Sequence, residues 1–451
     1  MGIRVGIDLG ATFSKIAYVD KYGCVAAIEN AEGTRMTPSV VNFTDSSHIT
    51  IGFDAKEDLI IDPENTILMV KRLIGKTDSV INYNGRTIPP EEVLSYVIKK
   101  LVTDATEILG EEIDGAVITV PTYFCARECT AVRRAAELAG INLISILSET
   151  TATAISYGLC QNEVGRCVLI YDLGGSSLDV SVAKINNGNV SVVCSGSIEI
   201  GGTDWDNALI DYLKEEFFFN TGIEDLDKYI LQEFQVKAES VKKKLSARDS
   251  VPVVLRADGE CVKLEITRKV FEKITRGLLE NSIAKADEVL VTAEKLGYKV
   301  DEIILVGGGS RMPQVRQIFI DKYGITPKLY EPDLAIAKGA AIYAMSDKTI
   351  DVRQVCSKSY GIKITRDGKE LCHNFIVKNT PFQGQSLSVS NVVGVVRSDL
   401  LMIDLAIYES DSLKEYSPID DNLVIGTLSF HVPNIQSANV FVVKFSLGYR
   451  L

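Results

Sequence analysis

No stretch of this chain stays apolar long enough to span a bilayer, and no charged-then-apolar leader opens it. Those two lacks predict a cytoplasmic protein without a membrane partner. Net positive charge is also missing, since 48 Lys and Arg stand against 60 Asp and Glu for a formal balance of −12. Such a chain repels a phosphate backbone, which argues against nucleic acid as its main ligand. Anion binding then falls to local runs such as Lys242-Lys243-Lys244. The nine Cys are scattered and odd in number, without a C-x-x-C pair, beside only three His. Cys125 and Cys129 lie one helical turn apart, but no further Cys or His pair completes a metal-ligand set, so they read as ordinary thiols. Hydrophobic residues make up 46% of the 451. That is ample for a sizeable core in about two or three domains.

The chain does contain two copies of one turn. The first is Gly6-Ile7-Asp8-Leu9-Gly10-Ala11-Thr12-Phe13-Ser14, and the second is Leu169-Ile170-Tyr171-Asp172-Leu173-Gly174-Gly175-Ser176-Ser177. Each follows a short apolar run and leads into an alternating one, so each predicts a hairpin with a tight turn of Asp, Gly and small hydroxyl residues. Gly lets backbone N–H groups approach phosphate oxygens, and an Asp beside them suits magnesium held through its waters. Taken singly, either copy is equally an ordinary Asp-Gly hairpin turn.

The surroundings repeat as well. After the first hairpin come an apolar strand pattern at Gly115–Pro121, a helix ending at Gly140, the run Ile141–Leu147, Glu149, and an Ala-rich helix through Gly158. After the second come Glu302–Gly309, a helix Pro313–Tyr323 stopped by Gly324, the run Ile325–Leu329, Asp333, and a helix Ala335–Ala344. Strands alternating with helices predict an α/β fold, and the duplication predicts two lobes with a ligand between them.

The paired Asp-Leu-Gly turns resemble the actin-like ATPase superfamily. The connecting motifs resemble its seventy-kilodalton heat-shock, or DnaK-type, chaperones. They are Val70-Lys71-Arg72-Leu73-Ile74-Gly75, Val120-Pro121-Thr122-Tyr123-Phe124, Ser148-Glu149-Thr150-Thr151-Ala152-Thr153-Ala154, Ile200-Gly201-Gly202-Thr203-Asp204-Trp205-Asp206-Asn207, Val306-Gly307-Gly308-Gly309-Ser310-Arg311-Met312-Pro313 and Glu331-Pro332-Asp333. They occur in family order over about residues 3 to 346.

The resemblance implies an actin-like, ribonuclease-H-like α/β ATPase domain over residues 1–346, with lobe I to about 166 and lobe II from 167. It implies ATP/ADP and Mg2+ as ligands, and slow ATP hydrolysis. Asp8 and Asp172 would hold the metal through water. Lys71 would reach the terminal phosphate and attacking water, while Glu149 and Asp179 order water and metal. Gly10, Ala11, Thr12, Phe13, Gly174, Gly175, Ser176, Ser177, Gly201, Gly202 and Thr203 would meet the phosphates. Glu239, Lys242, Lys243 and Ser246 would grip the adenosine, and Gly307, Gly308, Gly309, Arg311 and Asp333 would complete its pocket. Outside this resemblance, Lys71 reads as a solvated helix charge and the lysine run as an exposed amphipathic face.

The sequence also departs from the family pattern. Ala11, Ser176, Lys243, Gly309, Thr150 and Cys129 replace the family's Thr, Gly, Arg, Ser, Pro and Arg, and the Gly75–Pro90 segment is short. These changes imply altered affinity or rate and altered coupling. After Ala344 the chain reads as a polar connector to Val355, with 347–358 as linker. Short alternating runs follow at Tyr360–Ile364, Phe375–Val377, Ser386–Val389, Leu400–Tyr408, Leu423–Phe430 and Val440–Leu447. The span 359–451 therefore predicts a partial peptide-binding β-sandwich that ends before a helical lid, with an exposed edge open to pairing. Extended or unfolded peptides are the expected partners, with a J-domain co-chaperone and a nucleotide-exchange factor. The expected function is that of an ATP-dependent chaperone. The alternative is a nucleotide-sensing module with one dedicated protein partner. A small-molecule kinase would need a carboxylate base for its acceptor, and a filament-forming actin relative would lack the β-domain.

Overall fold

Two sheets in the structure share one wiring pattern. The structure is a computed structural model that describes residues 2–44, 48–76, 79–83, 86–160, 165–186, 189–346, 350–383, 386–394, 402–431 and 440–448. In the first sheet Ile3–Asp8 pairs antiparallel with Phe13–Val19 and parallel with Ile113–Val120, which in turn pairs parallel with Leu143–Ser148. In the second, Arg166–Leu173 pairs antiparallel with Leu178–Asn186 and parallel with Glu302–Val306, which pairs parallel with Lys328–Leu329. The central strands are buried on both faces, which is why they read as nearly continuous apolar runs.

Helices tie the sheets together by exchange. Ala335–Met345, late in the chain, packs on Ile3–Asp8 of the first sheet. Glu149–Cys160, which leaves the first sheet, packs on Leu178–Asn186 of the second. The two helices cross where Gly339 lies against Ala152, and a Cβ at Gly339 would overlap the Ala152 carbonyl oxygen. This close crossing brings both hairpin turns to one cleft. Outside the sheets, Pro90–Leu109 and Ala126–Leu138 cover the first lobe. Gly202–Thr221 and Lys228–Leu245 build the second around Trp205, Phe217 and Phe234. Pro313–Tyr323 starts with Pro and stops at Gly324, whose φ of 65° fits a left-handed cap.

Most C-terminal strands are longer than the alternating runs. Ser359–Arg366 and Lys369–Ile376 form a hairpin closed by Asp367 and Gly368, with φ of 52° and 74°, the positive pair that a two-residue turn requires. These strands join Tyr416–Pro418, Met402–Ser410 and Leu423–His431 in one sheet, while Ser386–Gly394 pairs with Val440–Gly448. Part of the polar connector is a strand: Val352–Val355 extends the second sheet beside Asn189–Ile198. Pro381–Gln383 from the β-rich segment pairs onto it in turn. Connector residues 347–349, residues 77–78 and 84–85 of the Gly75–Pro90 segment, Leu400 and Leu451 lie outside the described residues.

Candidate functional site

The cleft between the lobes has a volume of about 500 Å³. The two turns meet there: a Cβ at Gly175 would overlap the Thr12 side chain, so glycine is what lets them approach. Asp8, Gly10, Ala11, Thr12 and Phe13 line one wall, and Asp172, Gly174, Gly175, Ser176 and Ser177 face them. Thr203 donates its hydroxyl to the Gly175 carbonyl at 2.8 Å, and the Gly202 N–H donates to Gly174 O at 2.9 Å. The Gly201–Thr203 loop is thereby stacked on the second turn. Gly201 itself is packed behind, with its N–H donated to Asp204 at 2.7 Å.

Lys71 lies on the floor, almost fully buried, with its ammonium 2.5 Å from Glu149. The preceding Met69 has a φ of 56°, a left-handed geometry uncommon for such a side chain, and it starts the short helical turn that aims Lys71 inward. Asp179 stands behind the second turn and does not line the cleft. It accepts from the Thr122 N–H at 2.6 Å, from the Thr122 hydroxyl, and from Ser177 Oγ at 3.3 Å. Burial raises the Glu149 carboxyl to about 7, with Lys71 opposing and Asp179 and Asp8 adding to the rise. Burial, then Glu149, Asp179 and Asp8, push Asp172 well above the carboxylate range against the pull of Lys15. Burial also raises Asp179, against its Thr122 bonds.

This crowding of negative charge fits a cation. Asp172 lines the cleft and leaves its Oδ2 buried and without a hydrogen-bond partner. Among the described residues no three His, Cys, Asp or Glu side chains form a direct metal-ligating group. A magnesium ion that keeps its waters would fit such a donor set, and Asp8 and Asp172 could hold it through them.

At the other end, Glu239, Lys242, Lys243, Ser246, Gly307, Gly308, Gly309, Arg311 and Asp333 share the cleft lining. Arg311 and Asp333 form an ion pair. The Lys242 ammonium donates to Gly202 O at 2.7 Å and to Asp206 at 2.6 Å, tying the Lys228–Leu245 helix to the Gly201–Thr203 loop. Burial raises Asp206 to about 6, with Lys242 opposing. Glu239 bonds Lys243 at 2.5 Å and Lys56 at 3.0 Å. Despite burial, those two cations hold it down to about 2. Their ammoniums also flank the Phe13 ring, at 5.3 and 5.0 Å from its centroid.

Sequence reasoning missed four residues here. Lys56 clasps Glu239 across the cleft. Arg72 bridges the lobes, donating to Ser176 O at 2.7 Å and to Asp204 at 3.0 Å. Asp206 anchors Lys242. Lys15 reaches Asp8 at 2.8 Å. A signal for Lys15 existed, because a hairpin centred between Ala11 and Thr12 places positions 8 and 15 directly opposite, and the register pairs them.

A model of the family described as Hsp70 protein matches residues 4–440. The chain belongs to the Hsp70 protein family. Its relatives include the chaperone protein DnaK of Thermotoga neapolitana, 41% identical over 351 residues that cover 75% of this chain and 59% of that protein. The chaperone protein DnaK of Thermosipho melanesiensis is 40% identical over 350 residues, covering 75% and 58%. The chain thus spans less than two thirds of the length of these Hsp70 relatives. The paired sheets are the actin-like α/β architecture of the Hsp70 family. No described helix is long and apolar enough to cross a membrane.

Proposed function

We propose that this chain hydrolyses ATP in the interlobe cleft and couples the bound nucleotide to how its β-rich segment holds an extended or unfolded peptide. The observation that carries this reading is the buried Lys71–Glu149 pair on the floor of a cleft formed by two phosphate-type turns. Lysine and carboxylate side chains are seldom buried without a reason, and here both stand where a terminal phosphate and its attacking water would meet.

The residues divide the work. Thr12 and Ser177 hydroxyls and the turn N–H groups bind and orient the phosphates. Lys71 neutralises charge developing on the transferring phosphoryl group, which is where most of the catalysis in such reactions resides. Glu149 holds Lys71 in place and orders water. Asp179 fixes the Thr122 backbone and the Ser177 hydroxyl. Magnesium, held through water by Asp8 and Asp172, would supply positive charge to the phosphate oxygens. Glu239, Lys243, Ser246, Arg311 and Asp333 line the end that receives the nucleoside.

In this reading residues 1–346 are the ATPase domain, 347–358 the linker, and 359–451 the peptide-holding segment. A J-domain co-chaperone and a nucleotide-exchange factor are its proposed partners, and the cytoplasm its proposed location. The relatives' name, chaperone protein DnaK, supports the reading. The test is steady-state magnesium–ATP hydrolysis with and without an extended apolar peptide. Lys71→Ala should lower turnover by about 100-fold or more while leaving nucleotide affinity within a few-fold. Turnover that survives this substitution would overturn the proposed role of Lys71.

A further inference from the structure

Lys15 belongs to no motif that the proposed chemistry uses, yet it sits in the middle of it. It lies on the strand Phe13–Val19 directly opposite Asp8, and its side chain is only 15% exposed. The ammonium bonds Asp8 Oδ2 at 2.8 Å. It lies 3.7 Å from where a Cβ on Gly10 would be, which puts it inside the first turn. Asp172 and Asp333, from the other lobe, are close enough to act on it electrostatically.

The charge inventory gives this position a meaning. Asp8, Glu149, Asp172 and Asp179 are all buried around the turns. Lys71 is engaged by Glu149, so Lys15 is the cation that faces Asp8 and Asp172. Ala11, in the same turn, brings no hydroxyl toward a phosphate. An ammonium beside Asp8 therefore supplies part of the positive charge that a divalent cation would otherwise bring alone.

We propose that Lys15 is a built-in cation of the phosphate site, which binds the nucleotide's phosphate oxygens together with the first turn and so reduces the dependence of nucleotide binding on magnesium. This rests on the reading of the cleft as a nucleotide site. When a polyphosphate enters, the ammonium has the reach of a flexible four-carbon stem and can exchange an Asp8 oxygen for a phosphate oxygen. Asp8 is then free to hold water or metal. Without the ammonium, an incoming polyphosphate meets Asp8 and Asp172 with no cation bonded to Asp8 to offset them.

The test is equilibrium binding of a fluorescent N-methylanthraniloyl-ADP, in excess magnesium and in excess EDTA, to the full chain and to Lys15→Met and Lys15→Arg. Wild-type affinity should fall by no more than about tenfold on removing magnesium, and that of Lys15→Met by at least another tenfold. Lys15→Arg, which keeps the charge, should behave like wild type. Thermal unfolding of each variant without nucleotide separates a lost fold from a lost contact, and Lys15→Gln, which also removes the charge, replaces Lys15→Met in every comparison if the latter does not fold. Equal magnesium dependence in wild type and Lys15→Met, or an Arg variant as dependent on magnesium as Lys15→Met, would overturn the proposal while leaving the nucleotide site standing. No binding by wild type in magnesium would instead overturn the nucleotide site itself, and this proposal with it.

Discussion

Burial and mutual repulsion govern the carboxylates at the centre of the cleft. Glu149 moves from 4.5 to about 7, so in the metal-free protein folding takes up a proton between those values. Its contribution to stability is full below the unfolded value and is lost as the pH rises through about 7. Asp172 and Asp206 are shifted the same way. Glu239, held down to about 2, acts oppositely but only below the ordinary carboxylate range. In EDTA the protein should therefore unfold at a higher temperature at about pH 5.5 than at about pH 8, by roughly 1–3 kcal/mol of stability. Glu149→Gln should flatten that difference, and calorimetry across the range checks it; a stability that instead rises with pH would contradict the assignment. At this scale the sequence was legible where a residue sits in one of the two Asp-Leu-Gly turns that line the cleft. It was not legible where the decisive contact comes from distant chain, as with Lys56 on Glu239 or Arg72 on Ser176.

Helices and strands follow the sequence closely wherever their limits are local. Pro313 and Gly324 bound one helix by their own backbone preferences. The strand Val352–Val355 escaped because its cause is not local: its two central residues, Arg353 and Gln354, are both polar and break any alternation, and the open edge of Asn189–Ile198 makes it extended. The helix crossing gives a sharper test. Gly339→Ala would drive a methyl group into the Ala152 carbonyl and should cost about 2–4 kcal/mol in denaturant unfolding. Gly277, in the first turn of the Arg276–Lys295 helix, has nothing near its Cβ position. Gly277→Ala should be neutral or stabilising by about 0.5–1 kcal/mol. Similar losses at both sites would mean that the crossing is not tight.

The molecule as a whole is joined by one sheet. Its second sheet continues through the connector into Pro381–Gln383 of the β-rich segment, and Val352 packs into the core shared by the two lobes. Arg127 of the first lobe donates to the Val424 carbonyl at 3.2 Å, and the Ser195 N–H of the second donates to Asn379 Oδ1 at 3.2 Å. Val352→Asp would place an unpaired charge in that core. It should leave nucleotide binding within about twofold, abolish any stimulation of hydrolysis by peptide, and expose the connector to protease. Retained stimulation would show that the domains communicate by another route. The duplicated lobes were legible from their repeated motifs, but this continuity was not, because no local pattern records which edge a strand will join.

The exchanged helices also set an order of assembly. Arg4 donates to the carbonyl of Ala344, a partner 340 residues further along the chain. As the chain leaves the ribosome, the first sheet waits with that face bare until the late helix emerges. At roughly 5–20 residues per second, the wait lasts tens of seconds. A protein proposed to attend unfolded chains thus spends its own synthesis as one, with a strand edge and an apolar face in need of cover.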